Sequence, residues 1–314
     1  MLSVLNVTAP FFALIACGYL AARLKLLPDN TVPALNTFVL YFALPCMMLR
    51  FTLATPLEQL FNAPVFGAYA VTGLLTLLLF SLAYRFATGH AWHEMAYAAL
   101  AASWANWGYM GLALIPALFG AQALPVMIGA GMADLLILLS AALALGGGGG
   151  GAAGFAAVMR GAVMRVATNP LIWGVVAGIA GSAMSITLPT APAAFVQLLG
   201  STAGPVALFA IGASLYRPGA KILRADVMMI TGAKLLLHPY LAAMVALYGF
   251  GISRADAHIL ILVAALPVAG TVFLFAERAG ADAEVISASI LVSTALAFFS
   301  FSALCWGFGI QLGG

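Results

Sequence analysis

Long apolar runs separated by short polar punctuation fill the chain from end to end. Ten of them fall near 4–22, 32–53, 64–86, 94–119, 123–145, 169–187, 192–215, 226–250, 256–276 and 284–309. About twenty helical residues cross roughly 30 Å of hydrocarbon at 1.5 Å each, so each run predicts a membrane-spanning helix. The strict apolar/polar alternation of a membrane β-barrel does not occur. Two runs carry helix-weakening residues in their interior. The fourth reads Ser103-Trp104-Ala105-Asn106-Trp107-Gly108-Tyr109-Met110-Gly111, continuing to Pro116. Each mid-helix Gly there costs roughly 1 kcal/mol relative to Ala. The ninth reads Ala265-Leu266-Pro267-Val268-Ala269-Gly270-Thr271, where Pro267 removes a backbone donor and clashes with the preceding turn. Backbone released at membrane depth persists only where it is buried in protein or lines a watery cavity. For either run taken alone, close packing at glycine or a simple proline kink is the competing explanation.

Composition narrows the class. The 314 residues are 64% hydrophobic and 7% charged. Soluble domains carry about 25% charged residues, so this chain has too few to solvate a globular surface. Nothing in the sequence points to a nucleic-acid partner; the expected surroundings are a lipid bilayer. The net charge of +3 matters less than where the charges sit. With the N-terminus outside, the inner loops collect Arg23, Lys25, Arg85, Arg160, Arg165, Arg217, Lys221, Arg224 and Arg278, and the outer side keeps only Arg50 and Arg254. Basic residues mark the cytoplasmic side. The expectation is a multi-pass protein of the cell (inner) membrane with both termini outside. No basic segment precedes the first apolar run, which therefore reads as a span rather than a removed signal peptide. Cys17, Cys46 and Cys305 lie within apolar runs, without metal-ligand or disulfide spacing, and read as small hydrophobes.

The charge pattern also divides the chain. A glycine tract, Gly146 to Gly151, opens a segment at 146–168 that contains Arg160 and Arg165. Glycine at that density acts as a flexible tether, and the rest of the segment suits an interfacial helix. It separates a first set of five spans (1–145) from a second (169–314). Because five is odd, the second set enters the membrane from the opposite side, the arrangement of inverted-repeat transporters. Placing Gly120 on Gly280 brings the fourth and ninth runs into register, with their helix-breaking residues in comparable places. Half-helix N-termini at such breaks present free N–H groups and partial positive charge, which suits a carboxylate. Asn106, Gly108, Gly111, Pro267, Gly270 and Thr271 are accordingly the candidate substrate-binding residues, with Trp104 and Trp107 flanking Asn106 as candidate walls. Trp92 and Trp173 suit an interfacial belt.

Several stretches together carry a family resemblance. Asn106-x-Gly108-x-x-Gly111, the mid-span Pro267, Asn169-Pro170 opening the sixth run, Gly204-Pro205-Val206-Ala207-Leu208-Phe209-Ala210-Ile211-Gly212 and Lys234-x-x-x-His238-Pro239 resemble the auxin efflux carrier superfamily. The resemblance covers essentially the whole chain and is strongest to the bacterial branch, which includes malonate and malate carriers. It implies two inverted five-helix repeats whose broken fourth and ninth helices cross, an elevator-type motion and commonly a homodimer. One departure stands out: the bacterial pattern usually has Pro two residues after the second glycine, where this chain has Ala113.

Three ionisable residues remain inside the spans. Asp134 is near the middle of the fifth, and Lys234 and His238 are one turn apart on the eighth. A centred Asp or Lys costs roughly 2.5–3.5 kcal/mol on insertion scales, so such residues face a cavity or a partner. These are the coupling candidates, with Asp134–Lys234 as an ion pair and His238 as a carrier of a proton. The bland alternatives are snorkelling for Lys234 and a carbonyl bond at the Pro239 kink for His238. No cofactor is expected beyond a coupling proton or sodium ion, and no catalytic residues stand out. The leading function is secondary transport of a small organic anion. A membrane sensor or interaction module remains open. An integral membrane enzyme has no clustered Asp or His to support it, and the absence of GxxxxGK[ST] argues against ATP-driven transport.

Overall fold

The computed structural model describes residues 2–54, 62–146, 160, 170–216 and 222–309, and these are helical with no strands. The first set comprises α1 (Leu2–Arg23), α2 (Thr31–Ala54), α3 (Ala63–Thr88), α4 (Trp92–Ser103), α5 (Trp107–Phe119) and α6 (Leu124–Leu145). The second comprises α7 (Pro170–Ala183), α8 (Thr190–Leu215), α9 (Ala225–Tyr248), α10 (Arg254–Ala264), α11 (Gly270–Ala279) and α12 (Ala283–Gly307). Six of these, α2, α3, α6, α8, α9 and α12, are long and apolar enough to cross a membrane unaided. All ten apolar runs are helical, and only the fourth and ninth are each split into two helices. The tether and proposed interfacial helix at 146–168 lie, apart from Gly146 and Arg160, outside the described residues.

Helix bounds recur along the chain. The last residues of α1 to α6 (Arg23, Ala54, Thr88, Ser103, Phe119, Leu145) have counterparts about 160 positions later in α7 to α12 (Ala183, Leu215, Tyr248, Ala264, Ala279, Gly307). Irregularities recur too. A wide π-type turn, Val39–Ala43, interrupts α2 just before Pro45, and α8 is interrupted at Thr202 just before Pro205. Proline is the physical cause at both, because it cannot donate to the preceding turn. Gly120 and Gly280 close α5 and α11, each with positive φ (67° and 74°), a conformation glycine adopts without steric cost.

The helices form two groups. In one, α1 packs along the C-terminal half of α8, and α7 along the second half of α2. Glycine makes this contact close: a Cβ at Gly18 would collide with the Phe209 carbonyl, and one at Gly212 with the Ile15 carbonyl. On the other pair, Gly178 faces the Leu49 carbonyl and Thr52, and Gly174 lies on Pro45. Such small-residue contacts are how helices associate in lipid, where apolar burial gives no driving force between them. The second group holds α3 to α6 and α9 to α12, with α3 against α4, α6 and α9, and α12 against α9 and α11. A polar cluster ties its ends together. Arg224 reaches Asp226 (2.8 Å) and Asp282 (3.2 Å), and the Asp282 backbone N–H donates to Glu94 (2.8 Å).

Candidate functional site

The two broken runs meet at their breaks. Ala105 and Val268 pair as an antiparallel bridge. The Asn106 N–H donates to the Pro267 carbonyl (2.9 Å), and the Ala269 N–H to the Trp104 carbonyl (3.3 Å). Backbone groups that a continuous helix would have satisfied are thus satisfied across the crossing, as membrane depth demands. A side chain completes the accounting: Ser293 of α12 accepts from the Val268 N–H (3.1 Å). Ser293→Ala should orphan that buried N–H and lower stability by about 1–3 kcal/mol. The check is a fall in the thermal unfolding midpoint in detergent, with Ser293→Thr retaining most of it.

From this crossing α5 and α11 begin. Neither start is capped by a side chain: Asn106 precedes α5 and Ala269 precedes α11, with no side-chain cap bond at either. The Trp107 N–H turns back onto the Ala105 carbonyl (2.8 Å) and the Val272 N–H onto the Ala269 carbonyl (3.2 Å), while the helix dipoles leave both starts partially positive toward an anion. In front of them lies a cavity of about 290 Å³ on the seam between the two helix groups. Asn106, Tyr109, Gly270 and Thr271 line it from the crossing, and Ser287 from α12. Asn36 of α2 and Ile211 and Ser214 of α8 form the opposite wall. The Asn106 side chain is 5% exposed and makes no hydrogen bond to another described residue.

Of the six expected substrate-binding residues, Asn106, Gly270 and Thr271 line this cavity. Pro267 contributes its carbonyl to the crossing rather than a surface to the cavity. Gly111 is buried against Leu266 and Met127, so its small size serves packing. Gly108 has open space around its Cα hydrogens yet is not part of the cavity wall. The two tryptophans do not wall the site. Trp104 packs on Phe275 (ring centroids 5.6 Å apart), and Trp107 lies on Gly131 of α6. The wall residues Tyr109, Asn36, Ser214 and Ser287 carried no sequence signal beyond the nearness of Tyr109 to the break. The break itself falls at Trp104–Asn106, well before Ala113, whose methyl group faces Gly204 of α8.

Behind the crossing, the three coupling candidates come together, each fully buried. Asp134 and Lys234 both sit in π-type turns, Asp134–Leu138 and Ala233–Leu237. Such turns frequently mark functional positions in helices. Lys234 does not snorkel. Its Nζ donates to the Ala264 carbonyl at the C-terminus of α10 (2.6 Å) and lies 2.8 Å from His238 Nδ1. His238 therefore bonds Lys234 rather than a carbonyl at the Pro239 kink. Asp134 is within electrostatic reach of Lys234 and beside the Trp107 indole, but the expected direct ion pair does not form; the ion pairs among the described residues lie elsewhere. Tyr69, which sequence reasoning passed over, closes the cluster: its ring is 5.9 Å from that of His238, and it also faces Asp134 and the Ala105 backbone.

A helical, multi-pass membrane protein with a largely apolar cavity holding a few polar groups at a crossing of broken helices, and buried ionisable residues behind it, has the build of a membrane transporter. The chain belongs to the membrane transport protein family, the auxin efflux carrier family, whose model matches residues 3–145 and 154–305. It is also 31% identical to a protein of Rhizobium meliloti (strain 1021) named "Putative malonate transporter", over 309 residues covering 98% of this chain and 96% of that one. The chain is thus a membrane transporter and not an enzyme.

Proposed function

We propose that this protein is a secondary active transporter of a small organic anion, a mono- or dicarboxylate of the malonate kind. The observation that carries the reading is the cavity at the crossing, where two uncapped half-helix N-termini and the unbonded Asn106 amide converge. The positive ends of two helix dipoles beside a side-chain amide that bonds no described residue suit a carboxylate. The name of the Rhizobium meliloti relative supports the same substrate class.

The mechanism we propose is elevator-type alternating access. Residues 1–145 and 169–314 act as two inverted five-helix repeats, ten spans in all, joined by the tether at 146–168. The recurrence of helix bounds about 160 positions apart supports this division, as does the pairing of α1 with α8 and α7 with α2. The group containing the crossing moves as a body along the other. The protein sits in the cell inner membrane as a homodimer with both termini outside, and the Asn106 cavity then opens to the cytoplasm. Asp134, Lys234 and His238 couple substrate movement to an ion. In transporters with broken helices, half-helix carbonyls commonly hold the coupling cation. Here the Lys234 ammonium takes the Ala264 carbonyl, which favours a proton over sodium.

Uptake of labelled malonate into proteoliposomes tests the reading. Accumulation under an imposed ion gradient or voltage is expected, and no accumulation of any organic acid under either would sink it. Asn106→Ala should raise the half-saturating malonate concentration about tenfold, the loss of one hydrogen bond to a charged group. Folding should be unaffected, as read by size-exclusion elution, and unchanged kinetics would remove Asn106 from the site.

A further inference from the structure

The seam between the two helix groups holds a second cavity, and it carries the cation that the first one lacks. The Asn106 cavity is lined from α2 and α8 by Val32, Asn36, Ala210, Ile211, Ser214 and Leu215, none of them charged. A dicarboxylate there would meet helix N-termini and hydroxyls, but no guanidinium. At the other end of the same seam is a crevice of about 370 Å³. Met47 and Arg50 of α2, Gly200 and Ser201 of α8, Pro116 of α5 and the Gly120 that follows α5 line it. Asn36 and Arg50 lie fourteen positions apart on α2, roughly 20 Å at 1.5 Å per residue. Helix α5 is the wall common to both cavities, with Tyr109 in the first and Leu112, Ala113, Pro116 and Ala117 along the second. Between them the seam is shut where Ala113 meets Gly204.

Arg50 is exposed and forms no ion pair among the described residues. Its guanidinium lies 5.1 Å from the centroid of the Phe51 ring, which holds it by a cation–π contact without consuming its donors. A guanidinium with no ion pair among the described residues, in a crevice whose other polar lining side chain is Ser201, suits a carboxylate, since it offers a planar, bidentate donor pair.

We propose that the crevice at Arg50 is a second anion subsite, taking one carboxylate of a small dicarboxylate on the face opposite the Asn106 cavity. This rests on the transport reading above. Sliding of the crossing group along the seam carries Asn106 and the two helix N-termini toward the Met47–Arg50 end. There the substrate's two carboxylates are held together, one by the N-termini and one by Arg50. At the Asn106 end the second carboxylate has no cation. The protein therefore binds a dicarboxylate more tightly from the Arg50 face than from the other, and the preference disappears for a monoanion.

Transport kinetics measured separately from each face, in intact cells and in inverted vesicles, test this with malonate and its monomethyl ester as probes. Arg50→Gln should raise the half-saturating malonate concentration about tenfold from the Arg50 face, as expected for one lost charge-assisted bond. The same variant should leave malonate kinetics from the opposite face, and ester kinetics from both, within about twofold. Arg50→Lys should retain part of the malonate preference, because it keeps the charge and loses the bidentate fork. Unchanged malonate kinetics in Arg50→Gln, or equal changes for malonate and the ester, would overturn this site while leaving the transporter reading intact. A wild-type protein that moves neither probe overturns both.

Discussion

Lys234→Met is expected to abolish accumulation of malonate against a gradient and to lower the thermal unfolding midpoint in detergent. The methionine fills similar volume, but it leaves the Ala264 carbonyl without its donor, His238 without its hydrogen-bond partner and Asp134 without the nearby cation. Removing one member of a buried charged cluster typically costs about 3–5 kcal/mol, because the remaining charge is left uncompensated. A double variant separates stability from coupling. Adding Asp134→Asn to Lys234→Met removes the stranded carboxylate and should restore part of the lost stability, since contacting residues in one network do not behave additively. It should not restore gradient-driven accumulation. Wild-type accumulation by Lys234→Met proteoliposomes would remove this cluster from the coupling machinery.

Gly18→Val is expected to prevent the folded protein from accumulating at all. A Cβ at position 18 would overlap the Phe209 carbonyl oxygen and sit 2.9 Å from the Ala213 nitrogen. Both obstacles are backbone atoms of α8, so relief requires the whole helix to move away from α1. Overpacking a tight interface typically costs about 1–3 kcal/mol even where side chains give way, and rigid backbone places this case at the upper end or beyond. Gly232→Ala is the control. Nothing lies within 4 Å of a Cβ there, and position 232 is inside a helix. It should be tolerated, with a gain of up to about 1 kcal/mol from helix propensity. Detergent-solubilised yield and monodispersity measure both; a monodisperse Gly18→Val protein at wild-type yield would show that α1 and α8 can separate without loss.

These two sites show how differently the parts of the molecule could be read in advance. Gly18 is an unremarked small residue in an apolar run, and no local pattern distinguishes it from glycines that touch nothing, such as Gly232. What makes it essential is a helix nearly two hundred positions away. Lys234, by contrast, announced itself, because a charge in a membrane span is costly enough to need a reason. Its partners did not follow from that. Depth suggested a direct pair with Asp134, whereas the ammonium went to a carbonyl freed by the break after α10, an acceptor that exists only because the ninth run is interrupted. Trp104 and Trp107 failed as site walls for a related reason. Adjacency to Asn106 in sequence means little where the backbone leaves helical geometry, and both rings turned into packing on Phe275 and Gly131.

The sequence by itself determined the helical, membrane-spanning nature of the chain, the positions of its apolar runs and the two runs that break. Those features are local: hydrocarbon thickness sets the length of a span, and glycine, asparagine and proline weaken a helix wherever they stand. Tertiary structure alone decided that the breaks at Asn106 and Pro267 hydrogen-bond to each other, and that Asn106, Gly270 and Thr271 share a cavity while Gly111 does not. It also placed Arg50 in a crevice at the far end of the same seam. Each of these depends on which helix packs against which, and in lipid that choice is made by close backbone approach and by the need to satisfy every buried polar group, neither of which has a periodicity to read.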